Sequence, residues 1–212
     1  MPLRNRVTPF GAIISTPAHG TLMGNRGILH NDQREITRTH NGKRWVTCTL
    51  VGRPNGPKRP LMEPRHYTVL FFLDEATALA AGHRPCATCR RKEYDEFMRI
   101  WSVANGTAPE GTAAIKRLDE ILQRERVQRG GPKPSHEENF DTLPDGSMVD
   151  MGGSAYLVKG GELLQWTPAG YNAKVERPAR TTATVITSKS IVNCLRVGYA
   201  PQLHASAHAL AA

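Results

Sequence analysis

Two cysteines two residues apart, Cys86-Ala-Thr-Cys89, constrain this chain more than any other feature, because the chemistry of the pair limits what can surround it. Pro85 turns the backbone immediately before the pair. After it, RKEYDEFMRIW places Tyr94, Phe97, Met98 and Trp101 at i, i+3, i+4 and i+7, one face of an amphipathic helix, and that stripe is expected to be core. The second cysteine thus opens a helix whose N-terminal dipole favours thiolate, at a spacing that lets both sulfurs reach one ion. A thioredoxin-like redox pair would need the motif directly after a strand in a βαβ setting, whereas here a helix and a turn come first. A metal half-site, with Zn2+ the expected ion, is preferred over redox chemistry and over inert buried thiols.

Composition sets the context. The chain has 212 residues, enough to bury a core as one domain or two small ones. Its four cysteines are too few for a disulfide scaffold. No apolar run approaches the roughly 20 residues that span a bilayer. The opening MPLRNRVTPFGAII has too short an apolar stretch for a signal peptide, so a cytoplasmic protein with no membrane partner is expected. The formal charge of +9 is lopsided, since residues 1–66 hold 11 Lys and Arg against 3 Asp and Glu. A basic surface attracts polyanions through counterion release without selecting among them. A solvated face serving solubility is the alternative.

Pattern along the chain predicts an α+β fold: a small zinc-binding α+β module, then helices, then a small antiparallel β part. GAIIST (11–16), RWVTCTLV (44–51) and YTVLFFL (67–73) read as strands. AHGTLMGNRGILHND (18–32), with Gly20, Gly24 and Gly27, reads as a functional loop rather than packing. GRPNGPKRPLMEP (52–64) reads as a Pro- and Gly-rich excursion carrying Arg53, Lys58 and Arg59. Asp74 is a fitting N-cap for EATALAA, with Glu75 in the first turn and Gly82 as the stop. Residues 103–111 form a linker, and Thr112 caps a helix with an apolar face of Ile115, Leu118, Ile121 and Leu122. RGGPKPSHEEN (129–139) reads as a second linker and residues 140–190 as an antiparallel sheet. Ser190 is expected to cap IVNCLRVG, which Gly198 ends, and ASAHALAA to fray. The predicted divisions are 1–104 for a basic, nucleic-acid-binding zinc module, 105–134 for helix and linker, and 135–212 for a β-rich subdomain.

FFLDEATALAAGHRPCATCRR, residues 71–91, resembles the second half of the Ada-type metal-binding domain of bacterial DNA alkylation-repair proteins, and the likeness extends over about residues 67–92. The shared features are an aromatic strand, an Ala-rich helix, Gly82, Arg84, Pro85 and both cysteines. The resemblance implies a small zinc domain that contacts DNA phosphates, and hence DNA as partner and repair or damage response as role. In that family an upstream strand supplies a further cysteine pair, one of which accepts a methyl group. This chain departs there, because only Cys48 lies in the corresponding strand. Cys48 is therefore the expected third ligand and His30 the first choice for the fourth, with His83 and His66 as alternatives. The missing cysteine argues against methyl transfer and would suit a zinc-bound water instead. Lys43 and Arg44 beside Trp45, with Arg90, Arg91 and Lys92 beside the metal pair, would form a continuous basic rim if the arrangement holds, solvated surface charges being the alternative; Arg26 and Arg84 are further nucleic-acid-binding candidates.

Pro85-Cys86-x-x-Cys89 also matches the P-C-x-x-C of zinc deaminases, but none of the upstream histidines, His19, His30, His40 and His66, stands in the H-x-E that their chemistry requires. The 18–32 loop gathers His19, Asn25, Arg26, His30 and Asp32 without any phosphate-loop or dinucleotide pattern. Trp166 and Tyr171 are offered either as base-stacking groups or as core, and Cys194 as structural. Three functions follow: a zinc-stabilised DNA-binding protein, an enzyme processing nucleic acid with His19, His30 or Cys48 as catalytic candidates, or a zinc-stapled protein-interaction module.

Overall fold

The computed structural model describes residues 1–50, 60–106 and 112–211, which form an α+β fold of two six-stranded sheets and five α-helices among those residues. The first sheet contains β1 (Arg4–Val7), β2 (Ile13–Ser15), β3 (Leu22–Asn25), β4 (Val46–Thr49), β5 (Leu70–Phe72) and β6 (Arg84–Pro85), in the order β2-β1-β5-β3-β4-β6. It is mixed: β1 runs parallel to β5, and β4 parallel to β6. The second contains β7 (His136–Asn139), β8 (Met148–Met151), β9 (Ser154–Lys159), β10 (Glu162–Thr167), β11 (Gly170–Glu176) and β12 (Thr182–Val185). Its order is β11-β10-β9-β8-β12-β7, antiparallel throughout. The helices are α1 (Glu75–Ala80), α2 (Arg91–Asn105), α3 (Thr112–Arg126), α4 (Lys189–Arg196) and α5 (Ala205–Ala211).

The shortest of the first four helices carries the organisation. All six residues of α1 are buried. A helix this short is not stable by itself, so its geometry comes from caps and packing. Asp74 caps it as expected: Oδ1 accepts from the Thr77 backbone N–H at 2.9 Å and from the Thr77 hydroxyl at 2.7 Å. Oδ2 accepts from the Tyr171 hydroxyl at 2.9 Å and from the His204 N–H at 3.0 Å. Gly82 then ends it at a φ of 86°, a conformation that favours glycine. Leu73, Ala76 and Ala80 share a core with Met148, Leu157 and Leu164 of the second sheet, while Ala78 and Ala81 pack with Val7, Leu70 and Phe72 of the first, so apolar side chains from both sheets meet around α1.

On its other side, Leu79 packs with Phe97, Ile100 and Trp101 of α2, Leu118 and Leu122 of α3, and Ile191 and Cys194 of α4. The α2 stripe is core as expected, with Met98 at its edge. Trp166 and Tyr171 face inward too. Trp166 Nε1 donates to Thr77 Oγ1 at 3.0 Å with its ring half-buried against the core, and Tyr171 is buried, which removes it as a stacking platform.

Several expectations are corrected. The 18–32 segment is not a free loop: β3 lies between β5 and β4, and its glycines serve packing. A Cβ on Gly24 would stand 2.1 Å from the Val46 carbonyl oxygen and one on Gly20 2.2 Å from that of Phe72. The segment 129–139 is a linker only in part, since its end forms β7. α4 starts before Ser190, with Ser188 at its N-cap position, and the terminal ASAHALA is α5 rather than frayed. Residues 52–59 of the Pro- and Gly-rich excursion, with Arg53, Lys58 and Arg59, lie outside the described residues, as do residues 107–111 and the Thr112 side chain. No helix among the described residues is long and apolar enough to cross a membrane.

Removing the Asp74 carboxylate strands three buried donors, each costing about 1–3 kcal/mol when unpartnered, and the half-buried His204 N–H. Asp74→Ala is expected to lose roughly 3–5 kcal/mol in urea unfolding. A loss under about 1 kcal/mol would contradict the role given to this cap.

Candidate metal centre

Three of the four cysteines converge at the edge of the first sheet. Cys48 is on β4, and Cys86 and Cys89 follow β6. The parallel register of these strands, Thr47 beside Pro85, brings the thiols together, and the Cys86 N–H donates to the Thr47 carbonyl at 2.9 Å. The three Sγ atoms all lie within 4.8 Å of one another, an arrangement able to hold a metal ion. Cys86 and Cys89 are partly exposed, so the site is open to solvent on one side.

The electrostatics of the three thiols differ. Cys86 is drawn down to about 4, first because the Cys48 thiol donates to it, with backbone N–H groups of Cys89 and Thr88 adding to the effect. Cys48 is pushed far up, by holding that hydrogen bond and by burial. Burial also raises Cys89. A divalent ion bound here would supply positive charge that favours the thiolate form of all three cysteines. Cys194 stands apart, buried in the core and raised to about 12 by burial, which makes it structural.

Arg90 positions the loop between the two ligands and α2. It is buried, with its guanidinium on Glu75 at 3.0 Å and on the Thr47 hydroxyl at 3.1 Å, while its backbone N–H donates to the Cys86 carbonyl at 3.0 Å. Glu75 completes its own shell with the Tyr199 hydroxyl at 2.7 Å and the Gln202 N–H at 3.0 Å. Arg84 is likewise internal, forked onto both oxygens of Asp119 at 2.8 Å. Arg26 is buried against the Trp45 ring, 4.6 Å from its centroid, and donates to the Gly11 carbonyl. Arg126 lies 4.1 Å from the same ring and donates to the carbonyls of Gly82 and Lys43. Burial brings Arg26 down to about 10 and Arg126 to about 9.

These placements revise the expected site. Arg26, Arg84 and Arg90 are not on a basic rim, because each is consumed by internal partners. Lys43, Arg44 and Arg91 are exposed, Lys43 beside Glu120 and Arg91 beside Asp95. His30 does not join the thiols: Nδ1 pairs with the Thr68 hydroxyl at 2.6 Å and Nε2 with the Glu63 carbonyl at 3.1 Å. His66 contacts Pro64 and Glu63, and His19 is exposed away from the cluster. His83 is fully buried between Trp45 and Phe72, at ring-centroid distances of 5.2 and 4.7 Å. Sequence reasoning missed Asp119, whose only sign was its place within the apolar face of α3. No family model, curated protein or solved structure matches the chain.

Burial, reinforced by Arg26 and Arg126, holds the His83 ring neutral well below its ordinary value of 6.5. The unfolded chain therefore binds a proton below pH 6.5 that the folded chain refuses, so stability falls as pH drops through that range, by up to about 1.4 kcal/mol per pH unit. His40 and His136 are shifted in the same direction. Urea midpoints between pH 7 and pH 5 should show a shallower acid slope in His83→Leu than in the wild type. Parallel slopes would contradict it.

Proposed function

We propose that Cys48, Cys86 and Cys89 hold a zinc ion and that the chain is a zinc-centred nucleic-acid-binding protein, with DNA the expected partner and DNA repair or damage response its expected setting. The observation that carries the metal reading is the convergence of three thiols from a strand and a loop far apart in sequence, which no packing requirement explains. Thiolates are the ligands zinc favours, and a loop stapled to a strand edge is a common structural use of it. The nucleic-acid part is supported by the +9 charge, of which much remains on the surface after the buried arginines are set aside. The sequence resemblance to the Ada-type domain points the same way, and the single upstream cysteine argues against methyl transfer.

A second reading, a zinc-dependent enzyme acting on nucleic acid, has one observation in its favour. No fourth Cys, His, Asp or Glu joins the group among the described residues, and three protein ligands is the count of catalytic zinc sites. In either reading the chain's own residues fix the thiols: Arg90 holds the loop against Glu75, and Arg84 holds β6 against Asp119.

The purified chain is expected to retain stoichiometric zinc, to lose it in Cys48→Ala and in Cys86→Ala, and to keep it in His30→Ala. Zinc retention by both cysteine variants would overturn the assignment. DNA binding followed by anisotropy should weaken steeply with added salt. Salt-insensitive binding, or none, would favour a protein-interaction module, and hydrolysis of the DNA by the zinc-loaded chain would favour the enzyme.

A further inference from the structure

Beyond the thiols lies a groove that neither the cysteines nor the core explains. It runs between the 39–44 segment and α3, and has two adjoining recesses, about 540 and 780 Å³, which share Lys43 and Glu120 as a common wall. The first is of the size of a small-ligand pocket. Asn25 and Asn41 line it, and neither carboxamide has a hydrogen-bond partner among the described residues. Arg44 and Lys116 flank them, exposed and without a carboxylate partner among the described residues. The acids of this recess are already neutralised, Asp119 by Arg84 and Glu120 by Lys43. Arg124 and Arg129 line the second recess, again exposed and unpaired among the described residues.

We infer that this groove binds a single-stranded stretch of nucleic acid, with an unpaired base in the first recess and the sugar-phosphate backbone running past Lys43 to Arg124 and Arg129. The inference rests on the nucleic-acid reading above and locates it. A carboxamide offers a donor and an acceptor in one plane, the pattern that reads a base edge. Unpaired cations along a track are what a phosphate chain requires. Two connected recesses exceed what one mononucleotide fills, and a paired base cannot turn its edge into a recess. The groove is also tied to the thiol cluster, since Asp119 on its wall holds Arg84, two residues before Cys86.

The test uses the full chain and fluorescein-labelled DNA and RNA single strands of about 12 nucleotides, a length within known single-strand sites, with duplex DNA and AMP as competitors. Arg44→Ala/Lys116→Ala and Arg124→Ala/Arg129→Ala should each weaken single-strand binding tenfold or more. Each should also reduce the slope of log K against log salt by about 1.4, the value for two lost phosphate contacts. Asn41→Ala should weaken binding with the slope unchanged. Lys174→Ala/Lys189→Ala, the same charge change on the C-terminal part, should match the wild type. The DNA and RNA arms decide which strand is preferred. If the wild type binds and the groove variants behave like the control, the groove assignment fails while the nucleic-acid reading stands. Preference for duplex, or AMP competing as well as the strand, overturns the single-strand occupant. No binding by the wild type overturns both.

Discussion

The buried ion pair between Glu75 and Arg90 is the contact on which the rest of this structure depends. Glu75 opens a fully buried helix, and its carboxylate also takes the Tyr199 hydroxyl and the Gln202 N–H from the C-terminal part of the chain. Arg90 opens the next helix and reaches Thr47 on the strand that carries Cys48. One ion pair thus fixes the C-terminal segment, the cysteine loop and the strand opposite it. Such a pair is costly to desolvate and does not by itself argue for stability, but losing one partner leaves a buried charge without compensation. Its benefit here is positional: three thiols from distant segments are held where one ion can reach them.

A similar economy governs the positive charge. Arg26, Arg84, Arg90 and Arg126 spend their guanidinium groups on carbonyls, carboxylates and the Trp45 ring. Lys133 is half-buried, its ammonium donating to the Ile186 carbonyl, and desolvation lowers it to about 8. These cations staple segments together and contribute little to any external field. What remains for a polyanion is the exposed set, of which Arg44, Lys116 and Arg124 along the 39–44 segment and α3 have no acidic partner among the described residues.

Elements whose signals are local were legible in the sequence. The Asp74 cap, the Gly82 stop and the α2 stripe of Tyr94, Phe97 and Trp101 could be read directly, because each depends on neighbours within a turn or two. The strand β3 was not, since LMGN lacks strand propensity and owes its place to the close approach of Val46 and Phe72 at Gly24 and Gly20. Cys86 and Cys89 announce themselves by spacing. Cys48 joins them only through the parallel pairing of β4 with β6, which no local pattern encodes, and was expected from resemblance. His30 failed as a ligand because Thr68 and Glu63, both distant in sequence, take its two nitrogens. The burial of Arg84 was invisible for the same reason, since it waits on Asp119 in a different helix.

X-ray absorption at the zinc edge of the purified chain tests the central claim most directly, because it counts sulfur ligands at the metal. The proposed zinc site predicts three sulfur scatterers at about 2.3 Å. A zinc shell without sulfur, or a chain that takes up no zinc, would contradict it.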